Sequence, residues 1–261
     1  MTLTILPLGI NGYMPSYGRE TMSILVLNPP HAILVDAGSG VARFLEEKVR
    51  ILLSQCTDLS ILLSHYHLDH IIGLFFMPGI WSKWPVHLYA PTSPLIAVNP
   101  HMVLKKLLEP PFSSDFEPPP VDDFFTIKGI QGDSVSIGGC DVSIKFQKHP
   151  GGSLAFRFAD EFVYATDTRP DSETAVFAKG TKYLFHDVYL GDQEITGNSA
   201  DIAAHSSLDS AIKLAREANV EKLVPIHLNP QWGPEKMKEL QNATSFFGGA
   251  VLWPEEGKLL I

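Results

Sequence analysis

Four side chains that can bind divalent metal ions fall within six consecutive residues of the sequence. They are His65, His67, Asp69 and His70, in the stretch Ser-His-Tyr-His-Leu-Asp-His. Imidazole nitrogens and carboxylate oxygens are donors that zinc, manganese and iron accept, and no cysteine lies in the stretch to form a thiolate site. Because buried imidazoles without partners are costly, few structural requirements explain such a density. The stretch therefore predicts a metal centre.

A short apolar run before these residues predicts the element that positions them. Leu59 to Leu63 has the length and composition of a buried strand. The ligands would then lie on the loop at its carboxyl end, where polar chemistry gathers in open α/β sheets. His65 and His67, two residues apart, can point to the same side of an extended segment. Asp69 and His70 would face a second metal position, roughly 3.5 Å away as in two-metal sites.

Two metal ions need more donors than this stretch supplies, and isolated residues at the ends of predicted strands are candidates. His149 closes the predicted strand 142–148, Asp167 closes 161–166 and His227 closes 223–226. Each alone is more often a structural residue than a ligand. The residue types alone leave both roles open for these three positions.

The motif His65-x-His67-x-Asp69-His70, followed by Gly73-Leu74, resembles the H-x-H-x-D-H signature of the metallo-β-lactamase fold superfamily. The resemblance implies an α/β fold, the four-layer αββα sandwich, with the metal site on one edge. It implies two divalent metal ions, zinc first with manganese or iron as alternatives. By resemblance, the ligand sets are His65, His67 and His149 for one ion, Asp69, His70 and His227 for the other, and Asp167 as the bridge. Asp36, in Leu-Val-Asp-Ala-Gly, would orient a ligand imidazole, with a turn-forming role as the alternative.

A second pattern narrows the resemblance. His186-Asp187, then His205-Ser206 before a predicted helix, then His227 is similar to the ribonuclease Z and phosphodiesterase branch. In that branch an acidic residue orients a histidine that protonates the leaving oxygen. The resemblance implies His205 as general acid, since an imidazolium titrates near the working pH. Asp187 would be its partner in place of the family's Glu, and Asp69 counts with them as a catalytic residue.

The chain departs from ribonuclease Z in the interval where that family carries a long arm for transfer RNA. Only 17 residues separate His149 from Asp167, and the net charge is -9. Transfer RNA is therefore an unlikely partner, and we expect a small-molecule substrate, such as a cyclic or linear nucleotide or a related phosphodiester. The alternatives are a hydrolase of carboxylic esters, lactones or thioesters, and a non-hydrolytic, metal-bearing binding protein of a cofactor pathway.

Length and composition fit a globular enzyme. With 261 residues, 45% of them hydrophobic and 19% charged, we expect a single domain over residues 1–261. The first residues lack a basic region, and no apolar run approaches the roughly 18 residues of a membrane span. We therefore expect a cytoplasmic protein with no membrane partner. Aromatic residues in 75–84 and Phe246-Phe247 could supply an apolar interface for a homodimer.

Hydrophobic periodicity predicts further elements around the site. Helices are predicted over 41–53, 93–108, 207–218 and 235–240, and strands at 183–185 and 250–253. Ser206 and Asp209 predict the cap of the third of these helices. Residues 109–120, rich in proline, predict a surface loop that flanks the cleft.

Overall fold

Two six-stranded sheets form the centre of the molecule, and in each sheet the strands lie side by side in chain order. The computed structural model describes residues 3–81, 86–112, 121–191, 205–245 and 250–260. The first sheet contains β1 Thr4–Gly9, β2 Ser23–Asn28, β3 His31–Val35, β4 Asp58–Leu62, β5 Val86–Pro91 and β6 Phe125–Ile130. The second contains β7 Ser134–Ile137, β8 Cys140–Gln147, β9 Ser153–Phe158, β10 Phe162–Ala165, β11 Tyr183–Asp187 and β12 Lys222–Ile226.

Helices cover the outer face of each sheet. The helices are a 3-10 helix Ser39–Leu45, α1 Glu47–Leu53, α2 Leu68–Ile80, α3 Pro100–Leu108, α4 Val121–Phe124, α5 Ser172–Phe177, α6 Leu208–Glu217 and α7 Pro234–Ser245. Buried apolar residues form three clusters, one between the sheets and one under each helical layer. The predicted four-layer αββα sandwich is confirmed. No helix in the described ranges has the length and apolar character that crossing a membrane requires.

Strand β10 shows how one strand serves two cores. Phe162 and Tyr164 join the cluster between the sheets, whereas Val163 and Ala165 join the cluster under α5, α6 and α7. Successive side chains of a strand point to opposite faces, so a strand covered on both sides needs apolar residues at every position. This explains why β10 appears as a continuous apolar run in the sequence, whereas β8, exposed on one face, alternates.

The strand directions bring the chemistry to one edge. Strands β3 to β6 are mutually parallel, and so are β10, β11 and β12. Strand β8 runs in the same direction as β10, because both pair antiparallel with β9. Within each sheet these strands therefore end at the same edge. The segments after β3 and β4 leave the first sheet there, and those after β8, β10, β11 and β12 leave the second. The backbone amide of Leu154, in β9, donates to the carbonyl of Ser64 at 3.1 Å and joins the two sheets at this edge.

Helix α2 was not predicted, because its residues are apolar on most sides and include Gly73 and Pro78. It begins at Leu68, and its backbone docks directly on the loop that follows β3. The Gly73 amide donates to the Ala37 carbonyl at 2.7 Å, and a Cβ at Gly73 would lie 2.3 Å from the Gly38 carbonyl oxygen. Only glycine permits this approach, which sets the first turn of α2 beside β3.

Other predicted boundaries were wrong for local reasons. The predicted helix 41–53 is divided at Glu46, whose backbone is extended between the 3-10 helix and α1. The predicted helix 93–108 begins only at Pro100, after Asn99 accepts a hydrogen bond from the Met102 amide. The predicted strand 250–253 is a single bridge between Val251 and Leu223.

The cap of α6 also differs from the prediction. Ser207 and Ser210 form the capping box, and Ser206 instead contacts the candidate site. Residues 113–120 of the predicted proline-rich loop, and Phe246-Phe247, lie outside the described residues. The homodimer, the cytoplasmic location and the single domain stay predictions.

Candidate metal centre

All seven residues predicted as ligands meet at the carboxyl edge of the two sheets. His65 and His67 follow β4, whereas Asp69 and His70 occupy the first turn of α2. His149, Asp167 and His227 come from the segments after β8, β10 and β12. Donor atoms of His65, His67, His149 and Asp167 lie within 4.8 Å of one another, and so do those of Asp69, His70 and His227. We call the first set position A and the second set position B.

Asp167 lies between the two positions and offers one oxygen to each. Its Oδ1 is 3.7 Å from Nε2 of His65 and 3.5 Å from Nε2 of His149. Its Oδ2 is 3.0 Å from Nε2 of His70 and 3.3 Å from Nε2 of His227. The carboxylate would therefore be able to bridge two ions, one held at each position.

The remaining donor atoms complete the two positions. In position A, Nε2 of His149 faces Nδ1 of His67 at 3.1 Å. In position B, Oδ2 of Asp69 is 3.4 Å from Nε2 of His70 and 3.3 Å from Nε2 of His227. Position B thus contains a carboxylate of its own, whereas position A contains only imidazoles besides Asp167.

Three residues at this edge have left-handed backbone conformations. Asp36, Asp167 and His227 have φ angles of 55°, 49° and 53°. Asp and His are among the residues that adopt this region most readily, and each instance still costs of order 1 kcal/mol unless the surroundings impose it. The turn redirects the chain directly after β3, β10 and β12, which aims these side chains at the space between the sheets.

Asp36 holds two of the imidazoles from behind. Its Oδ2 accepts hydrogen bonds from Nδ1 of His70 at 2.7 Å and from the hydroxyl of Tyr164 at 2.6 Å. Asp36 Oδ1 accepts from the Ser64 amide and Oδ2 from the Ser64 hydroxyl, each at 2.7 Å, and that hydroxyl lies 3.0 Å from Nδ1 of His65. Bonds to Nδ1 fix the ring orientation and leave Nε2 facing the centre, which is the usual arrangement behind a metal-bound histidine. This fits the orienting role expected of Asp36.

The ring nitrogens and the ionisation states of the cluster are suited to binding metal cations. Nε2 of His65 is buried and has no hydrogen-bond partner among the described residues, and the nearest polar atom to Nε2 of His70 is the Asp167 oxygen at 3.0 Å. Burial and the neighbouring His70 hold the pKa of His65 well below its usual range, so this imidazole is neutral. Burial opposes charge on Asp167, but the neighbouring His227 and His70 outweigh it and lower the carboxyl pKa. Neutral imidazoles and ionised carboxylates are the forms that bind metal.

The pKa of His70 is shifted in the opposite direction to that of His65. Burial disfavours its cation, yet Asp167, Asp69 and Asp36 together raise its pKa well above the usual range. Three carboxylates around one buried imidazole leave an excess of negative charge that only a cation can balance. The same negative charge would favour divalent ions at this position.

His205 and Asp187 form a pair next to the centre. Nδ1 of His205 is 2.7 Å from Oδ2 of Asp187, whose Oδ1 accepts from the Ser206 amide at 3.0 Å. The His205 ring lies 5.1 Å from the His227 ring and is 13% exposed. Burial lowers the pKa of His205, but Asp187 outweighs it and raises that pKa to about 9. The shorter carboxylate, which replaces the Glu of the related branch, still reaches the imidazole.

Sequence reasoning missed the contacts made by the loop after β1. The Tyr13 amide donates to Oδ2 of Asp69 at 2.7 Å. Gly12 packs on the His227 ring so closely that a Cβ would lie 2.3 Å from Cε1. The Asn11-Gly12 dipeptide predicts only a turn. Its position against ligands more than fifty residues away depends on the tertiary fold.

Comparison with known proteins agrees with this geometry. The family described as "Beta-lactamase superfamily domain" matches residues 31–228, well over half of the chain. Ribonuclease Z of Natronomonas pharaonis is 22% identical over 313 aligned positions, covering 98% of this chain and 97% of the relative.

Two solved structures share the fold. The metallo-β-lactamase fold protein YhfI from Bacillus subtilis superposes with a TM-score of 0.75 at 20% identity, covering 98% of each chain. A diphosphatase of the PhnP family gives 0.72 at 17% identity, covering 100% of this chain and 98% of that one. The chain belongs to the metallo-β-lactamase fold superfamily and is similar to its ribonuclease Z and PhnP-family members; it is a metal-dependent hydrolase whose His and Asp cluster fits divalent ions.

Proposed function

We propose that the chain is a dinuclear metal-dependent phosphodiesterase that acts on a small phosphodiester, such as a cyclic or linear nucleotide. The observation that carries the proposal is the His205–Asp187 pair beside a two-position metal centre. Positions A and B would each hold one divalent ion, with Asp167 shared. Zinc is the first choice because imidazole predominates, and manganese or iron also accept this donor set.

Two bound ions would supply a water activated near neutral pH and a clamp for the phosphoryl oxygens. The chain's own residues define where the substrate sits. Asp36 and Ser64 keep His65 and His70 in one orientation, so the donor geometry is set before substrate binds. The exposed side of His67 marks the open side of the centre, from which a substrate can enter.

His205 would protonate the leaving oxygen. Its Nδ1 is engaged by Asp187, so Nε2 is the nitrogen left to donate a proton. The carboxylate favours the imidazolium, which is the acid form that the step requires. An alkoxide leaving group needs this proton far more than an activated phenolate does. The pair therefore favours ester bonds with poor leaving groups, which phosphodiesters of nucleosides contain.

The interval between His149 and Asp167 supports a small substrate. It is filled by β9 and β10, joined by the short turn 159–161. The ribonuclease Z relatives act on RNA by name, but the net charge of -9 here disfavours a phosphate backbone as partner. We therefore place a small phosphodiester ahead of transfer RNA.

The test is hydrolysis of methyl phenyl phosphate and methyl p-nitrophenyl phosphate by protein reconstituted with zinc, manganese or iron. His205→Ala should slow the phenyl ester about a hundredfold or more, and the p-nitrophenyl ester much less. His31→Ala is the matched control, since His31 pairs with Asp58 at 2.6 Å at the opposite end of β3. Turnover of p-nitrophenyl acetate or a homoserine lactone, with no phosphodiester turnover, would replace the proposal by acyl hydrolysis.

A further inference from the structure

Tyr13 is an exposed aromatic residue at the rim of the candidate metal centre. The residue is 74% exposed, while its amide nitrogen is 2.7 Å from Oδ2 of Asp69. The Cα lies one bond beyond that nitrogen, about 1.5 Å further. The ring is therefore attached within one side-chain length of position B.

The loop that carries Tyr13 is fixed to the segment after β12. The Gly12 amide donates to the Leu228 carbonyl at 3.0 Å, and the Ser16 hydroxyl donates to the Pro230 carbonyl at 2.5 Å. Nη2 of Arg19 donates to the Trp232 carbonyl at 2.7 Å. Bonds on both sides of Tyr13 hold its backbone in one place relative to His227, which precedes this segment.

Neither burial nor backbone preference explains a tyrosine here. Its φ angle is 64°, in the left-handed region that bulky residues rarely adopt, and glycine or asparagine would relieve the strain. An exposed ring also gains little from the hydrophobic effect. Tyr17 on the same loop shares this exposure and this backbone conformation, so what distinguishes Tyr13 is its place beside Asp69. A strained residue held at that place points to a functional constraint.

We propose that the Tyr13 ring stacks on a planar aromatic group of the substrate, so that the preferred esters carry a nucleobase or another aryl group. The inference rests on the proposed phosphodiesterase function and names the class of ester. Aromatic rings bind bases through their faces without reading sequence, which suits a small nucleotide. The phosphate would lie at positions A and B, with the planar group over Tyr13 at the rim.

Tyr17 provides a matched control on the same loop. It is 62% exposed and has a φ angle of 49°, so it shares the exposure and the backbone conformation of Tyr13. Its ring, however, lies beside Gly233 and 5.9 Å from the Arg19 guanidinium carbon. Its replacement should therefore alter the loop without removing the proposed stacking surface.

The experiment compares two diesters that share one leaving group, phenyl p-nitrophenyl phosphate and methyl p-nitrophenyl phosphate, using metal-loaded protein. The ratio of their kcat/KM values isolates the planar group, because loss of metal or of folded protein lowers both values together. Tyr13→Ala and Tyr13→Leu should lower the phenyl-to-methyl ratio about tenfold, mainly through KM for the phenyl ester. Tyr13→Phe and Tyr17→Ala should leave it within about twofold of wild type.

An unchanged ratio in Tyr13→Ala and Tyr13→Leu, with wild type active on both esters, would overturn the stacking role alone. A fall of equal size in Tyr17→Ala would also overturn it, since the effect would then belong to the loop. If wild type hydrolysed neither ester, the proposed phosphodiesterase function itself would fail.

Discussion

Positions A and B are supported very differently by the surrounding protein. Position B combines Asp69 with the shared Asp167 and is braced by Asp36 behind His70 and by the Tyr13 amide on Asp69. Position A is formed by imidazoles and one oxygen of Asp167, and its His67 is exposed. Charge and bracing both favour tighter binding at B, whereas the openness of A favours access for substrate and water. The difference predicts two ions of unequal affinity.

Removal of the shared carboxylate should have the largest effect. Asp167→Asn leaves one neutral amide where both positions need a carboxylate oxygen, so neither ion keeps its full charge balance. We expect the zinc content to fall from about two ions per chain to less than one, measured by inductively coupled plasma mass spectrometry. Phosphodiester turnover should fall more than about a thousandfold. A variant that keeps two ions and most of the activity would remove Asp167 from its bridging role.

Single ligand variants should separate the two positions. His67→Ala should remove the A ion and leave about one ion per chain, because position B contains no donor from His67. His227→Ala removes a donor from the tighter position and should weaken binding of the more firmly held ion. Titration with a chelator, followed by metal analysis, should show two steps in wild type and only the tighter step in His67→Ala. Two indistinguishable steps would contradict the unequal affinities.

The next largest effect on metal affinity should come from the hydrogen bonds that orient the ligand histidines. Asp36→Asn weakens the bonds to His70 and Ser64, and loss of such an orienting group typically costs about 10- to 100-fold in metal affinity. Ser64→Ala is the comparison variant, since it removes the contact at Nδ1 of His65 and one hydrogen bond to Asp36 but leaves the Asp36–His70 bond in place. It should lower affinity less than Asp36→Asn, and mainly at position A. Equal losses at both positions would show that the bracing does not distinguish them.

The smallest expected effect is the contribution of His205 to the free energy of unfolding of the metal-free protein. Asp187 raises its pKa to about 9 against the usual value of 6.5. A raised pKa in the folded state adds stability that is complete below pH 6.5 and is lost as the pH rises through about 9. Chelated protein should therefore lose more stability on His205→Gln at pH 6 than at pH 10, measured by urea unfolding. Asp187→Asn should return the imidazole titration, followed by NMR, to near or below 6.5.

The sequence predicted one half of the centre more directly than the other. His65, His67, Asp69 and His70 are close in the chain, so their spacing alone indicates metal binding. His149, Asp167 and His227 could be proposed because each follows a predicted strand, and parallel strands align their carboxyl ends.

The supporting contacts could not be predicted in this way. The tie from Tyr13 to Asp69 joins residues 56 positions apart in the chain, and the packing of Gly12 on His227 depends on both sheets. Helix α2 was missed because its apolar residues face several neighbours at once and show no clear helical stripe. Its position is set by backbone contacts of Gly73, which no hydrophobic pattern records.

Anomalous diffraction from crystals of the zinc-loaded protein, collected above and below the zinc edge, tests the central claim most directly. The account predicts two peaks roughly 3.5 to 4 Å apart at positions A and B, with Asp167 contacting both. Stepwise soaking in chelator should weaken the A peak before the B peak. A single peak, or ions held elsewhere than by these seven residues, would contradict it.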